Sequence, residues 1–87
     1  MADGEALKTA LGFDGLCGPH TAVGAPALFN HPENGKPEQV EAAFAAGLRL
    51  GQIYRVWAVN DQGFVTYLAL VDHDGWFNSC LFSEFPD

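Results

Sequence analysis

The stretch Leu50 to Phe85, LGQIYRVWAVNDQGFVTYLALVDHDGWFNSCLFSEF, decides the fold. It reads as three consecutive strands, Gln52 to Val59, Phe64 to Val71 and Trp76 to Phe82, separated by Asn60-Asp61-Gln62-Gly63 and Asp72-His73-Asp74-Gly75. Each strand segment is rich in β-branched and aromatic residues, and each connecting tetrapeptide ends in glycine, the pattern of a hairpin meander. Side chains alternate along a strand with period two. In the first segment Ile53, Trp57 and Val59 therefore fall on one face, and Tyr54, Val56 and Ala58 on the other. The second segment sets Phe64, Leu68 and Leu70 against Val65, Tyr67, Ala69 and Val71, and the third sets Trp76, Cys80 and Phe82 against Phe77 and Leu81. Both faces are apolar, whereas a solvated face reads polar. Three things can close the second face: curling into a barrel, the irregular segment that precedes the meander, or a second copy of the chain.

Working outward toward the N-terminus, Pro37 to about Ala46 reads as a helix. Proline suits the first helical position, Glu38 and Glu41 lie near the positive end of the helix dipole, and Gly47 is placed to stop it. Val40 and Phe44 form its apolar stripe, and Ala42, Ala43, Ala45 and Ala46 allow close approach to the sheet. Between Gly12 and Lys36 the regular periods vanish, with glycines at 12, 15, 18 and 24 and prolines at 19, 26 and 32. A long irregular segment in a compact domain tends to be a functional loop or to hide edge strands. Thr21 to Val23 and Ala27 to Phe29 are the two short strands expected within it. A short N-terminal helix is expected over Glu5 to Leu11, with Leu7 and Leu11 on one face, Asp3 as cap and Gly12 at its end.

The expected architecture is thus α+β and β-dominated. An antiparallel meander curls toward a barrel, with one short N-terminal helix and a second helix at about 37–46 packed on the sheet. The chain reads as one domain over 1–87, divided into an irregular segment (1–36) and a helix plus meander (37–87). Its 87 residues bury only roughly 60 to 65% of the surface exposed by the unfolded chain, so the core must be dense or a partner must contribute.

The pattern Leu50-Gly51-x-x-Tyr54-x-Val56, followed by Gly63, by Val71-Asp72-x-Asp74-Gly75 and by Leu81-Phe82, resembles small SH3-like β-barrel proteins, many of them encoded by bacteria, phages and other mobile elements. The resemblance spans about the last 40 residues and rests on structural positions: a glycine entering a strand, a turn, and a Leu-Phe pair ending a strand. The chain departs from the pattern at Trp76-Phe77-Asn78, where those proteins carry polar residues. The resemblance implies a barrel but carries over no catalytic residue.

Composition narrows the functional classes. Four Lys and Arg stand against eleven Asp and Glu, giving a net charge of -7, so a phosphate backbone meets repulsion and direct nucleic-acid binding is not expected. No run approaches the roughly 18 apolar residues needed to cross a bilayer, and Met1-Ala2-Asp3-Gly4-Glu5 is acidic where a signal peptide is basic. A cytoplasmic location is expected, with no membrane partner and with Cys17 and Cys80 as free thiols.

Cys17-Gly18-Pro19-His20 sets a thiol and an imidazole three residues apart, and His31, His73 or Cys80 would complete a metal shell. Structural zinc sites are usually built from two local pairs, and here there is one, so Cys17, His20 and His31 are weak candidates set against a buried thiol and loop histidines. The same pair suits a nucleophile and its base, but no third orienting group is identifiable. Glycines 12, 15 and 18 have neither dinucleotide nor P-loop spacing, and Asp72 to Gly75 lacks a calcium-loop glutamate in register, since Glu84 lies one residue too far on. No catalytic constellation and no cofactor are expected. Most of the aromatic residues must form the core, leaving Trp57, Trp76 and Phe77 as candidates for a binding surface. The expected function is therefore a non-enzymatic protein-interaction module, self-associating as a homodimer. The alternatives are an acidic phage or mobile-element inhibitor of a host nucleic-acid-handling complex, and a small-molecule or metal-binding protein.

Overall fold

A computed structural model describes residues 15–84 of the chain. Five strands form one antiparallel sheet: β1 (Pro26–Phe29), β2 (Ile53–Asp61), β3 (Thr66–Leu70), β4 (Phe77–Asn78) and β5 (Phe82–Glu84), in the spatial order β4-β3-β2-β1-β5. One α-helix, α1 (Pro37–Ala45), joins β1 to β2, and 3-10 turns occupy Pro32–Asn34 and Ser79–Leu81. The expected helix over Glu5 to Leu11 lies outside the described residues.

Local chemistry accounts for α1. Pro37 opens it, and the Gln39 side chain accepts a hydrogen bond from the Lys36 backbone N–H at 2.9 Å, satisfying a donor at the helix entrance. At its end Gly47 adopts φ 98°, Gly47 N donates to Phe44 O at 3.0 Å, and Leu48 N donates to Ala43 O at 3.0 Å. That pair of bonds is the Schellman arrangement, and its hydrophobic companion Leu48 is fully buried. The face that meets the sheet is led by Ala43, with Val40 and Ala46 partly buried beside it. Phe44 is 40% exposed, its ring 5.8 Å from that of Phe29. The missing bulk of Ala43 is what brings the helix backbone close.

β2 and β3 follow the expected segments, but the side-chain alternation along β2 breaks. Val56 lies opposite Leu70 and Ala58 opposite Ala69, so Trp57 is an extra residue, a β-bulge. One added residue shifts the period by one. Tyr54 and Val56 face the core before the bulge, and Val59 packs against the same core after it. Val59 was expected beside Ile53 and Trp57; the bulge moves it to the opposite face.

The third expected strand, Trp76 to Phe82, is two strands. Asn78 caps the intervening turn by accepting a hydrogen bond from Cys80 N at 3.1 Å, and the chain passes through Ser79–Leu81 from β4 at one sheet edge to β5 at the other. β5 then pairs with β1 in the register Ala27↔Glu84, Leu28↔Ser83 and Phe29↔Phe82. Among the described residues no ladder joins β4 to β5, so the sheet is open. The free side of β5 is covered by Gly15 to Cys17: Leu16 bridges Ser83, Cys17 N donates to Phe82 O at 3.0 Å, and Glu84 N donates to Gly15 O at 3.1 Å. Of the two strands expected in the irregular segment, only Ala27 to Phe29 forms, as part of β1. Thr21 to Val23 lies instead in successive turns, closed by Thr21 N to Gly18 O and Ala25 N to Ala22 O.

The core fills the inner face. Phe29 and Phe82 meet at 5.3 Å, surrounded by Val56, Leu68, Leu70 and Leu81, all fully buried. Burying each such side chain stabilises the fold by about 1.5–3 kcal/mol relative to leaving it exposed. Among the described residues no helix is long and apolar enough to cross a membrane.

Candidate binding surface

The outer face of the sheet is different. At the bulge Trp57 is 56% exposed, and Ile53, four residues earlier on the same side of β2, is 47% exposed. Val71 and Trp76 continue the apolar surface past the end of β3. Trp57 and Trp76 line one cleft of about 440 Å³, together with Ala69, Leu70 and the turn Asp72 to Gly75. The volume falls in the lower part of the roughly 300–1,000 Å³ range of small-ligand sites, but the cleft is shallow and open.

The turn that carries the rim of this cleft is held firmly. Val71 N donates to Arg55 O at 2.9 Å and His73 N donates to Leu70 O at 3.2 Å. Asp72 adopts φ 68°, in the left-handed region that Asp and Asn enter more readily than most residues. His73 Nδ1 lies 3.0 Å from Ala46 O at the end of α1, and the imidazole meets the Tyr54 ring edge-on at 5.1 Å. Tyr54 in turn accepts a hydrogen bond from Arg49 N at 2.7 Å through its hydroxyl. A chain of contacts thus ties the turn to the helix end and fixes where Trp76 emerges.

Phe77 does not belong to this surface. It is 4% exposed and sits in the core, because adjacent residues entering β4 point to opposite faces. Trp76 goes out and Phe77 goes in. Phe64, read as a strand residue, stands fully exposed at the tip of the β2–β3 hairpin. There Gln62 N donates to Val65 O at 2.9 Å, Asp61 Oδ1 accepts from Gly63 N at 3.0 Å, and Gly63 takes φ 89°. The turn sits two residues later than its sequence suggests, which lifts Phe64 out of the ladder.

Cys17, His20 and His31 are not gathered into a site. Cys17 is buried, and burial pushes its thiol up to about 12; a hydrogen bond with Thr21 pulls it down and the Glu84 charge pushes it further up. His20 Nε2 lies 2.8 Å from Glu84 Oε2, and His31 Nδ1 lies 2.8 Å from Glu33 Oε2. The bond from His31 holds the Glu33 carboxyl below its usual range. Cys80 is likewise raised by burial, and its thiol donates to Asn34 O at 3.3 Å. Both cysteines contribute to a second recess of about 340 Å³ beside Phe64, but thiols raised in this way stay protonated near neutral pH and make poor nucleophiles. Among the described residues no three His, Cys, Asp or Glu side chains are grouped to hold a metal ion.

No family model, curated protein or solved structure matches the chain. The sequence singled out Trp57 and Trp76 but read Asp72 to Gly75 only as a connecting turn. The signal for its second role was adjacency: the turn delivers Trp76 directly, so its acidic residues border whatever Trp76 borders.

Proposed function

We propose that the chain is a non-enzymatic protein-interaction module whose working surface is the outer face of the sheet. The observation that carries this reading is the exposure of two tryptophans on one face, at 56% and 50%, in a chain that has only two. Exposed indoles around a cleft are characteristic anchors of protein interfaces. The protonated thiols and dispersed histidines offer no nucleophile–base pair to set beside that reading.

The test is affinity capture with the full chain and with a Trp57→Ser/Trp76→Ser double variant. Proteins retained by the parent and lost with the variant support the reading; an unchanged retained set overturns it. A second reading has the same face pairing with another copy of the chain. Ile53, about half exposed and on the same side of β2 as Trp57, favours it by extending the apolar surface, while the charge of -7 on each copy opposes it. Light scattering behind a sizing column separates the two: a dimer supports self-association and a monomer removes it while leaving the first reading intact.

We also infer an SH3-like arrangement of the strands. Its support is the bulged β2, which pairs with β1 through its first half and with β3 through its second, together with the 3-10 turn linking the two edge strands.

A further inference from the structure

We propose that the cleft between Trp57 and Trp76 receives a cationic side chain, arginine in preference to lysine, from a basic segment of a partner protein. The inference rests on the reading of the outer sheet face as the working surface and names the chemistry that face selects.

Two kinds of group line the cleft. Trp57 and Trp76 offer indole faces, whose quadrupole attracts a cation more strongly than that of any other aromatic side chain. Asp72 and Asp74 add carboxylates at the rim. Among the described residues neither carboxylate is in a salt bridge, whereas Glu33 and Glu84 are each held by a histidine. Both arginines are engaged elsewhere. The Arg55 guanidinium bonds to Gly24 O, and Arg49 Nη1 donates to Leu48 O at 2.9 Å. His73, the remaining titratable group in the lining, is turned toward Ala46 O and Tyr54.

An apolar partner that covers the indoles leaves the two rim carboxylates unpaired and, where it shields them from water, adds a cost that nothing offsets. A second copy brings a further net charge of -7 toward the same rim. A cation meets both demands at once, because its charge pairs the carboxylates while its body covers the indoles. Arginine suits the cleft better than lysine: the guanidinium is planar, stacks on aromatic faces, is less strongly hydrated, and forks onto carboxylate oxygens.

Because the chain contains only two tryptophans and both line the cleft, intrinsic indole fluorescence reads the site directly. The experiment titrates the full chain with short blocked peptides alternating glycine with arginine, with lysine or with leucine. The arginine peptide is expected to give a saturable change in emission, with the lysine peptide weaker. Raising ionic strength from about 0.01 M to about 0.15 M is expected to weaken the arginine peptide severalfold. In an Asp72→Asn/Asp74→Asn double variant its affinity is expected to fall about tenfold, corresponding to about 1.4 kcal/mol. Asparagine tolerates the left-handed backbone at position 72, so the turn is retained, and an unchanged circular dichroism spectrum verifies it. Equal response to the leucine peptide, or arginine binding untouched by the Asn variant, overturns the cation inference and leaves the interaction face standing. No saturable response to any peptide also overturns it, and the fate of the face itself is then read from the capture experiment with the Trp57→Ser/Trp76→Ser variant.

Discussion

Trp76 and Phe77 are consecutive in the chain and belong to different worlds. Phe77 is 4% exposed and packed among Leu68, Leu70 and Val56; Trp76 is half exposed at the edge of a cleft. The same contrast holds across the whole sheet. Its inner face is filled to exclusion of solvent by Phe29, Phe82 and their neighbours, while its outer face keeps large apolar groups in water. Hydrophobicity alone does not distinguish the two, since both faces are apolar in sequence. The difference lies in what the chain has available to cover them: α1 and the turn at Ser79–Leu81 close the inner side.

If the faces differ as described, substitutions should sort by face. Phe77→Ala should lose about 3–5 kcal/mol, from lost burial and the cavity left behind. A domain of this size has a total stability of roughly 5–15 kcal/mol, so the urea midpoint should drop by a large fraction. A loss under about 1 kcal/mol would erase the distinction between the faces.

Gly35→Ala probes the inner face by overfilling it. A Cβ there would lie 2.6 Å from Leu81 Cδ2 and 3.1 Å from Gln39 Oε1, and Leu81 is fully buried. The substitution should cost about 1–3 kcal/mol in thermal or chemical denaturation. Neutral behaviour would mean that the core beneath the Ser79–Leu81 turn has slack.

The Cys17 thiol sharpens the comparison through pH. Its folded value, about 12, lies above the ordinary value of 9.0, so folding favours the protonated form. The associated stability is complete below pH 9 and is lost as pH rises toward 12, by at most about 1.4 kcal/mol per pH unit. Denaturation of the parent and of Cys17→Ala across that window should show the steeper alkaline decline in the parent; parallel curves would contradict the burial of the thiol.

The smallest effects belong to the outer face. Trp57→Ser or Trp76→Ser should change stability by no more than about 1 kcal/mol, because each side chain already spends half its surface in water. A cost comparable to that of Phe77→Ala would show that the indoles act as core.

Much of the scaffold was legible in the sequence, for local reasons. Pro37 and Gly47 mark the ends of α1, and the β-branched runs mark β2 and β3. Alternation along the strands also puts apolar residues on both faces of the sheet, and Trp57 and Trp76 stand half exposed. What escaped depended on single-residue events. A bulge at Trp57 has no signature among alternating apolar residues, yet it moves Val59 across the sheet. The break in the last strand did leave a trace, since Asn78-Ser79 is turn and cap chemistry inside an apolar run. Phe77 is a surface candidate only on the ground that two apolar faces exceed what one short helix can bury; alternation with Trp76 argues the reverse, and Phe77 is buried. The cleft rim was hidden because the residues that build it also make a turn, and a turn explains them fully by itself.

The pairing of β1 with β5 sets the order of events in time. β1 begins at Pro26 and one of its partners ends at Glu84, so this ladder joins nearly the two ends of the described chain. Contacts of such sequence separation form late, because the intervening chain must be ordered before they return any free energy. The hairpin of β2 and β3 is free to form early as a local event, but Phe29 has no Phe82 to pack against until the last strand arrives. During synthesis the first strand therefore emerges long before its partner, with one edge bare, and the core is completed only when β5 is released.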